Sequence, residues 1–199
     1  EWPQDQRDQL LNSLRPMADT FGLALAEPLW EELADEDWSL SWKKHWQPDP
    51  VGQRLLILPA WLEVPEEHAN RLVLKMDPGS AFGTGSHPTT RLCLEALEEM
   101  PPHDQRVADL GCGSGVLGLA SLALGASEVL AADTDSLAVR ATTDNAALNG
   151  LKAEQLRVGH GSIDTLATLL NGEEADLLLC NILAPVIEAL APQFDSVLK

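Results

Sequence analysis

Apolar residues recur at three- and four-residue steps at the start of the chain, at Leu10, Leu11, Leu14 and Met17, and this period predicts a helix over Pro3 to Asp19. Phe21 to Ala26 reads as a strand. A lone helix and strand cannot bury their apolar faces, so the opening is expected to be part of a small α+β domain whose first half is absent. Leu55 to Leu58 and Leu72 to Lys75 read as strands of a small sheet. From Pro88 the pattern alternates. Helices are expected at Thr89 to Glu99, Gly115 to Leu124 and Ser136 to Asn149, and strands at Arg106 to Leu110, Glu128 to Ala132, Gln155 to Val158 and Ala175 to Cys180. A β-α-β-α order implies a parallel sheet covered by helices.

Glu27 to Pro50 breaks this texture, with Trp30, Trp38, Trp42 and Trp46 among acids and lysines, and it reads as a linker carrying a short helix. Trp38, Trp42 and Trp46 share one face at i, i+4 spacing, either as a docking surface or as a stripe packing the linker down. The chain opens on Glu1 rather than Met and stops at Lys199 after only four strands of the parallel sheet. The expectation is therefore a fragment of a longer chain, or a sheet completed by a partner, with an edge prone to self-association.

Composition adds less. The 199 residues are 45% apolar, enough for a buried core, with no apolar run of membrane-spanning length, and the first residues have neither the basic start nor the apolar stretch of a secretory signal. Three widely spaced cysteines, Cys93, Cys112 and Cys180, fit neither a disulfide framework nor a zinc site, and favour a reducing cytoplasm. A formal net charge of −18 disfavours nucleic-acid binding and suits a basic protein partner, or serves solubility alone.

The chemistry concentrates in Val107-Ala108-Asp109-Leu110-Gly111-Cys112-Gly113-Ser114-Gly115, a short strand running into alternating glycines and then a helix. Such a turn exposes backbone N–H groups at the carboxyl edge of a sheet, where open α/β proteins bind ligands. A dinucleotide fingerprint needs its third glycine at 116, where Val116 stands, so the turn is G-x-G-x-G, the variant usual in S-adenosylmethionine enzymes. A tight turn without ligand is the alternative. Asp133 ends the next strand, 22 residues after Gly111, where a carboxylate can accept both ribose hydroxyls of a nucleoside. Asp135 is assigned to the start of the following helix, though both acids can act as caps.

Met76-Asp77-Pro78-Gly79-Ser80-Ala81-Phe82-Gly83-Thr84-Gly85-Ser86-His87-Pro88-Thr89-Thr90 resembles the motif that precedes the glycine loop in ribosomal protein L11 methyltransferases, and Asn181-Ile182-Leu183-Ala184 resembles their motif after the fourth strand. The resemblance runs from about Glu36 to Pro192. It implies a Rossmann-like α/β fold of the class I methyltransferase kind, a parallel sheet with helices on both faces, preceded by part of a small α+β recognition domain. The domains expected are residues 1–28 for substrate recognition, 29–75 for linker and small sheet, and 76–199 for S-adenosylmethionine binding, incomplete at its C-terminus.

The resemblance also implies a cytoplasmic enzyme, monomeric at full length, that methylates lysine and N-terminal amines of ribosomal protein L11 with S-adenosyl-L-methionine. Nucleic acid, membrane and metal are not expected. Thr90, Gly111, Gly113, Asp133 and Asn181 become cofactor contacts, with the Thr90 hydroxyl meeting the methionine carboxylate or capping its helix. Ser162 is a candidate near adenine, and Phe82 and Gly83 belong to a loop that closes over the methionine moiety or is a plain connection. His87 either takes a proton or packs its loop, and no catalytic base is assigned. A planar-nitrogen methyltransferase carries Asn-Pro-Pro-Tyr at the position of Asn181-Ile182-Leu183-Ala184, and this chain has no tyrosine. The remaining alternatives are the same chemistry on another protein lysine, or a nucleotide-binding module without turnover.

Overall fold

The computed structural model describes residues 3–30, 46–77, 85 and 87–199. The chain divides into two units, Glu1–His45 and Trp46–Lys199. In the first, helix α1 (Gln4–Thr20) forms where the apolar period predicts it. Phe21 to Ala26 is not a strand: no partner strand meets it among the described residues, and Phe21, Leu23 and Leu25 are exposed. Its apolar alternation alone cannot hold an extended backbone without a ladder. The Arg7 guanidinium stacks 5.0 Å over the Trp30 ring. Phe82, Gly83, Trp38 and Trp42, and most of the expected linker, lie outside the described residues.

The second unit holds two sheets. Strands β1 (Asp49–Val51) and β2 (Leu55–Pro59) pair antiparallel, and β3 (Leu72–Met76) joins β2 in parallel. Strand β1 falls inside the expected linker. Pro50 disguised it, and is tolerated because β1 is an edge strand. This sheet grips helix α2 (Pro88–Glu99) through two ionic anchors. Arg91 pairs with Asp49 at 2.8 Å, and the Glu98 carboxylate accepts three consecutive N–H groups of the β1–β2 turn, from Gln53, Arg54 and Leu55, at 2.8 to 2.9 Å.

The larger sheet alternates strand and helix as expected. Its elements are β4 (Arg106–Leu110), α3 (Val116–Ala123), β5 (Glu128–Asp133), α4 (Ser136–Leu148), β6 (Leu156–His160), α5 (Ile163–Leu170), β7 (Leu177–Leu179) and α6 (Ala184–Leu190). Helix α5 was not anticipated. The strands are all parallel in the order β6-β5-β4-β7, so the chain winds outward from β4 to β6 and then returns to the other side of β4.

Alternation along the strands divides the core. Val107 and Val129 face one cluster with Leu94, Leu119 and Ala120, whereas Ala108, Leu110, Leu130 and Ala132 face another with Ile163, Leu166 and Leu170. Each fully buried leucine in these layers contributes about 1.5–3 kcal/mol of transfer free energy. At the amino end of the sheet Glu128 accepts from Arg106 at 2.6 Å and from Arg157 at 2.9 Å, tying β4, β5 and β6 together. Among the described residues no helix is long and apolar enough to cross a membrane.

Candidate active site

The reversal of strand order between β4 and β7 opens a crevice at the carboxyl end of the sheet, the place where ligands bind in open α/β folds. A cleft of about 620 Å³ lies there, lined by Gly111, Gly113, Asp133, Ser162 and Asn181, with His87, Thr89 and the apolar side chains of Ile182, Leu183 and Val186 around them.

The glycine turn leaves β4 with Gly111, Gly113 and Gly115 at φ of +75°, +56° and +82°, conformations that a Cβ penalises. A Cβ at Gly111 would also collide with the Ile182 side chain. Gly111 and Cys112 donate their N–H groups to the Ala132 carbonyl at 2.8 and 3.2 Å, which docks the turn on the end of β5. Asp133 completes this join: one carboxylate oxygen accepts the Gly113 N–H and the other the Asp135 N–H, both at 2.9 Å. Asp135 caps α4 by accepting the Leu137 N–H at 2.8 Å, the role expected of it.

Across the cleft, Asn181 follows β7 and donates its side-chain amide to the Thr90 hydroxyl at 3.1 Å. Thr90 is buried and sits in the first turn of α2. It does not cap that helix. His87 occupies the cap position, where its Nδ1 accepts the Thr89 N–H at 3.3 Å and lies 2.7 Å from the Thr89 hydroxyl. Ser162 precedes α5 and leaves its hydroxyl out of any cap bond to that helix.

One group the sequence reading passed over is Asp109, on β4 beneath the turn. It is buried, and neither oxygen has a standard hydrogen-bond partner among the described residues. Burial raises its pKa to about 7, the nearby Gly118 N–H opposes this, and the charge of Asp133 adds to it. Gly118 packs close beside it: a Cβ there would crowd Val129 at 3.0 Å and touch an Asp109 oxygen at 3.4 Å. A charged residue in the middle of a buried strand pattern was the available signal. Burial, reinforced by Asp109, also raises the pKa values of Cys93, Cys112 and Cys180. All three are free thiols, and none is activated as a thiolate. Among the described residues no three His, Cys, Asp or Glu side chains converge as metal ligands.

The family description of the ribosomal protein L11 methyltransferases matches residues 4–199. A ribosomal protein L11 methyltransferase of Parasynechococcus marenigrum is 71% identical over 98% of this chain and 68% of its own length. That of Synechococcus elongatus is 52% identical over 96% of this chain and 64% of its own. The crystal structure of a ribosomal protein L11 methylase from Lactobacillus delbrueckii superposes with a TM-score of 0.68 at 34% identity, covering 77% of this chain and 76% of that one. The chain spans about two thirds of the length of the curated relatives it matches. Parallel sheet, switch-point cleft and sequence agree: this Rossmann-like chain belongs to the ribosomal protein L11 methyltransferase family.

Proposed function

We propose that the cleft binds S-adenosyl-L-methionine and that the chain is part of a protein methyltransferase acting on lysine and N-terminal amines of ribosomal protein L11. The observation that carries this reading is the Asp133–Gly113 hydrogen bond, which sets a carboxylate at the tip of β5 against the glycine turn of β4. The residues suit such a cofactor. The cleft volume of about 620 Å³ falls within the range of small-molecule sites. Asp133 retains lone pairs for two ribose hydroxyls, and Gly111 and Gly113 admit close approach of a ligand to backbone. Ser162 stands on the adenine side, and Asn181 with Thr90 on the methionine side. Phe82 and Gly83, which lie outside the described residues, are assigned to the cofactor from the sequence motif alone.

When bound, the cofactor supplies a methyl group on a sulfonium whose departure leaves a neutral thioether. The chain's own task is to align an acceptor and exclude water. Ile182, Leu183 and Val186 give the cleft an apolar wall. A lysine amine, with an ordinary pKa of ~10.4, must lose its proton before it reacts. Desolvation against that wall favours the neutral amine, and a backbone carbonyl of Asn181 or Ile182 orients it. His87, engaged as a helix cap, is not assigned a proton-transfer role. The front unit recognises the substrate, and the net charge of −18 steers a basic protein toward it. The protein works in the cytoplasm, without nucleic acid, as a monomer at full length.

Incubation with labelled S-adenosylmethionine and purified L11 tests the reading. Label is expected on lysine and N-terminal amines of L11. Tight cofactor binding with no transfer to L11, but transfer to another protein, would keep the chemistry and overturn the substrate.

A further inference from the structure

Three glycines free the turn after β4 to rotate its peptide planes, so something outside the turn must decide which way its carbonyls face. Two side chains of α4 do this. The Thr142 hydroxyl donates to the Gly113 carbonyl at 3.0 Å, and the Asn145 amide donates to the Ser114 carbonyl at 2.9 Å. Both residues are buried, and three residues apart they share one helix face. They stand behind the turn, outside the set of residues that line the cleft.

The same face holds a second element. The Asn145 side-chain oxygen accepts the Asp77 N–H at 2.9 Å. One turn further along, Asn149 brackets Lys75, accepting its N–H at 2.9 Å and donating to its carbonyl at 2.7 Å. Helix α4 therefore clasps the glycine turn and the end of β3 together. A packed apolar face would join a helix to a turn without the cost of burying an amide and a hydroxyl. These polar groups specify orientation, which apolar contact does not.

We propose that Thr142 and Asn145 are positioning residues for the nucleoside site, holding the Gly113 and Ser114 carbonyls toward α4 so that carbonyl oxygen is kept from the ligand side of the turn. The inference rests on reading the cleft as a nucleoside site. In a trans peptide the C=O and N–H point opposite ways, so pinning the Gly113 carbonyl to Thr142 turns the Ser114 N–H away from α4. A flip of either peptide would bring a carbonyl dipole toward the electron-rich ribose hydroxyls and Asp133. Asn145 extends the constraint, because the amide that fixes the turn also fixes the backbone at Asp77.

The test uses the 199-residue chain, with S-adenosylhomocysteine as the probe, calorimetry for affinity and thermal unfolding for stability. Thr142→Val keeps the volume and removes the donor, and is expected to weaken binding about tenfold, or about 1.4 kcal/mol. Thr142→Ser restores the donor and is expected to stay within about twofold of the parent. Asn145→Asp keeps the acceptor for Asp77 and replaces the donor to Ser114 with a repelling carboxylate, so it should weaken binding at least as much as Thr142→Val. It serves as the deciding variant if Thr142→Val does not fold. A purely structural role would lower the melting temperature and leave affinity well below that temperature unchanged, and that result overturns the proposal. Failure of the parent chain to bind the probe would remove the nucleoside site itself, whereas parental binding with unaffected variants removes the positioning role alone.

Discussion

The Gly113 N–H donates to Asp133 across 2.9 Å, so the turn after β4 and the tip of β5 form one polar unit rather than two neighbouring features. The carboxylate orders the glycine turn before any ligand arrives. Asp133→Ala should therefore act twice, removing a charged acceptor for the ribose and releasing the turn. A hydrogen bond to a charged group contributes about 1.5–3 kcal/mol, so S-adenosylhomocysteine should bind roughly ten- to a hundredfold more weakly. Asp133→Asn keeps an oxygen acceptor and should lie between parent and Ala. Calorimetry giving equal affinities for all three would remove Asp133 from the site.

Gly111 and Gly150 both have positive φ, of +75° and +68°, but only Gly111 has a neighbour in the path of a Cβ, the Ile182 side chain. Gly150→Ala should cost only the left-handed backbone penalty of about 1–2 kcal/mol and leave cofactor affinity intact. Gly111→Ala should cost more and displace Ile182, an edge of the cleft. Denaturant unfolding and binding assays on the pair would show the contrast. Equal losses in both would mean that Ile182 yields without consequence.

Much of this architecture is legible in the sequence, for reasons that differ between elements. Val107 to Leu110, apolar but for Asp109, and Val129 to Ala132 are short runs stopped by glycine or aspartate, and both form parallel strands where expected. Helix α5 escaped notice, although Ile163, Leu166 and Leu170 mark its buried face, because the helix is short. Phe21 to Ala26 misled in the other direction, since its alternation describes a strand only if a partner exists. The Thr142–Asn145 clasp carried no signal: polar residues in a helix ordinarily face solvent, and only the fold reveals that these face a turn. Thr90 meets the Asn181 amide of the cleft, yet His87 holds the capping role that the position of Thr90 suggested.

Asp109 should make stability depend on pH in a direction opposite to that of an ordinary paired carboxylate. Its pKa rises on folding from 3.8 to about 7, so the folded state binds the extra proton between those values. The stabilisation this gives is fully present below about pH 4 and is lost as pH rises through 7. Asp109→Asn should accordingly be closest to the parent in stability at low pH and gain on it toward pH 7 and above. Chemical denaturation of both across that range checks the sign, and parallel curves would show that Asp109 does not titrate there.

Glu128 provides the control remote from the cleft. Burial raises its pKa, but the hydrogen bonds and charges of Arg106 and Arg157 outweigh this and hold it below the usual value of 4.5. Its contribution is therefore present at neutral pH and lost as pH falls below that value. Glu128→Gln should lower stability at pH 7 by on the order of 1–2 kcal/mol with S-adenosylhomocysteine affinity unchanged. A matching loss of affinity would indicate that the amino end of the sheet communicates with the cleft.

If the cleft at the β4 and β5 tips holds cofactor for methylation of L11, labelled methyl passes from S-adenosylmethionine to purified L11 in a transfer assay. A protein carrying these residues is expected to label L11 amines, and its Asp133→Ala form to lose the activity at limiting cofactor while regaining part of it at high cofactor concentration. Transfer by the Asp133→Ala form equal to that of the parent at limiting cofactor would show that the cofactor is not held at this cleft.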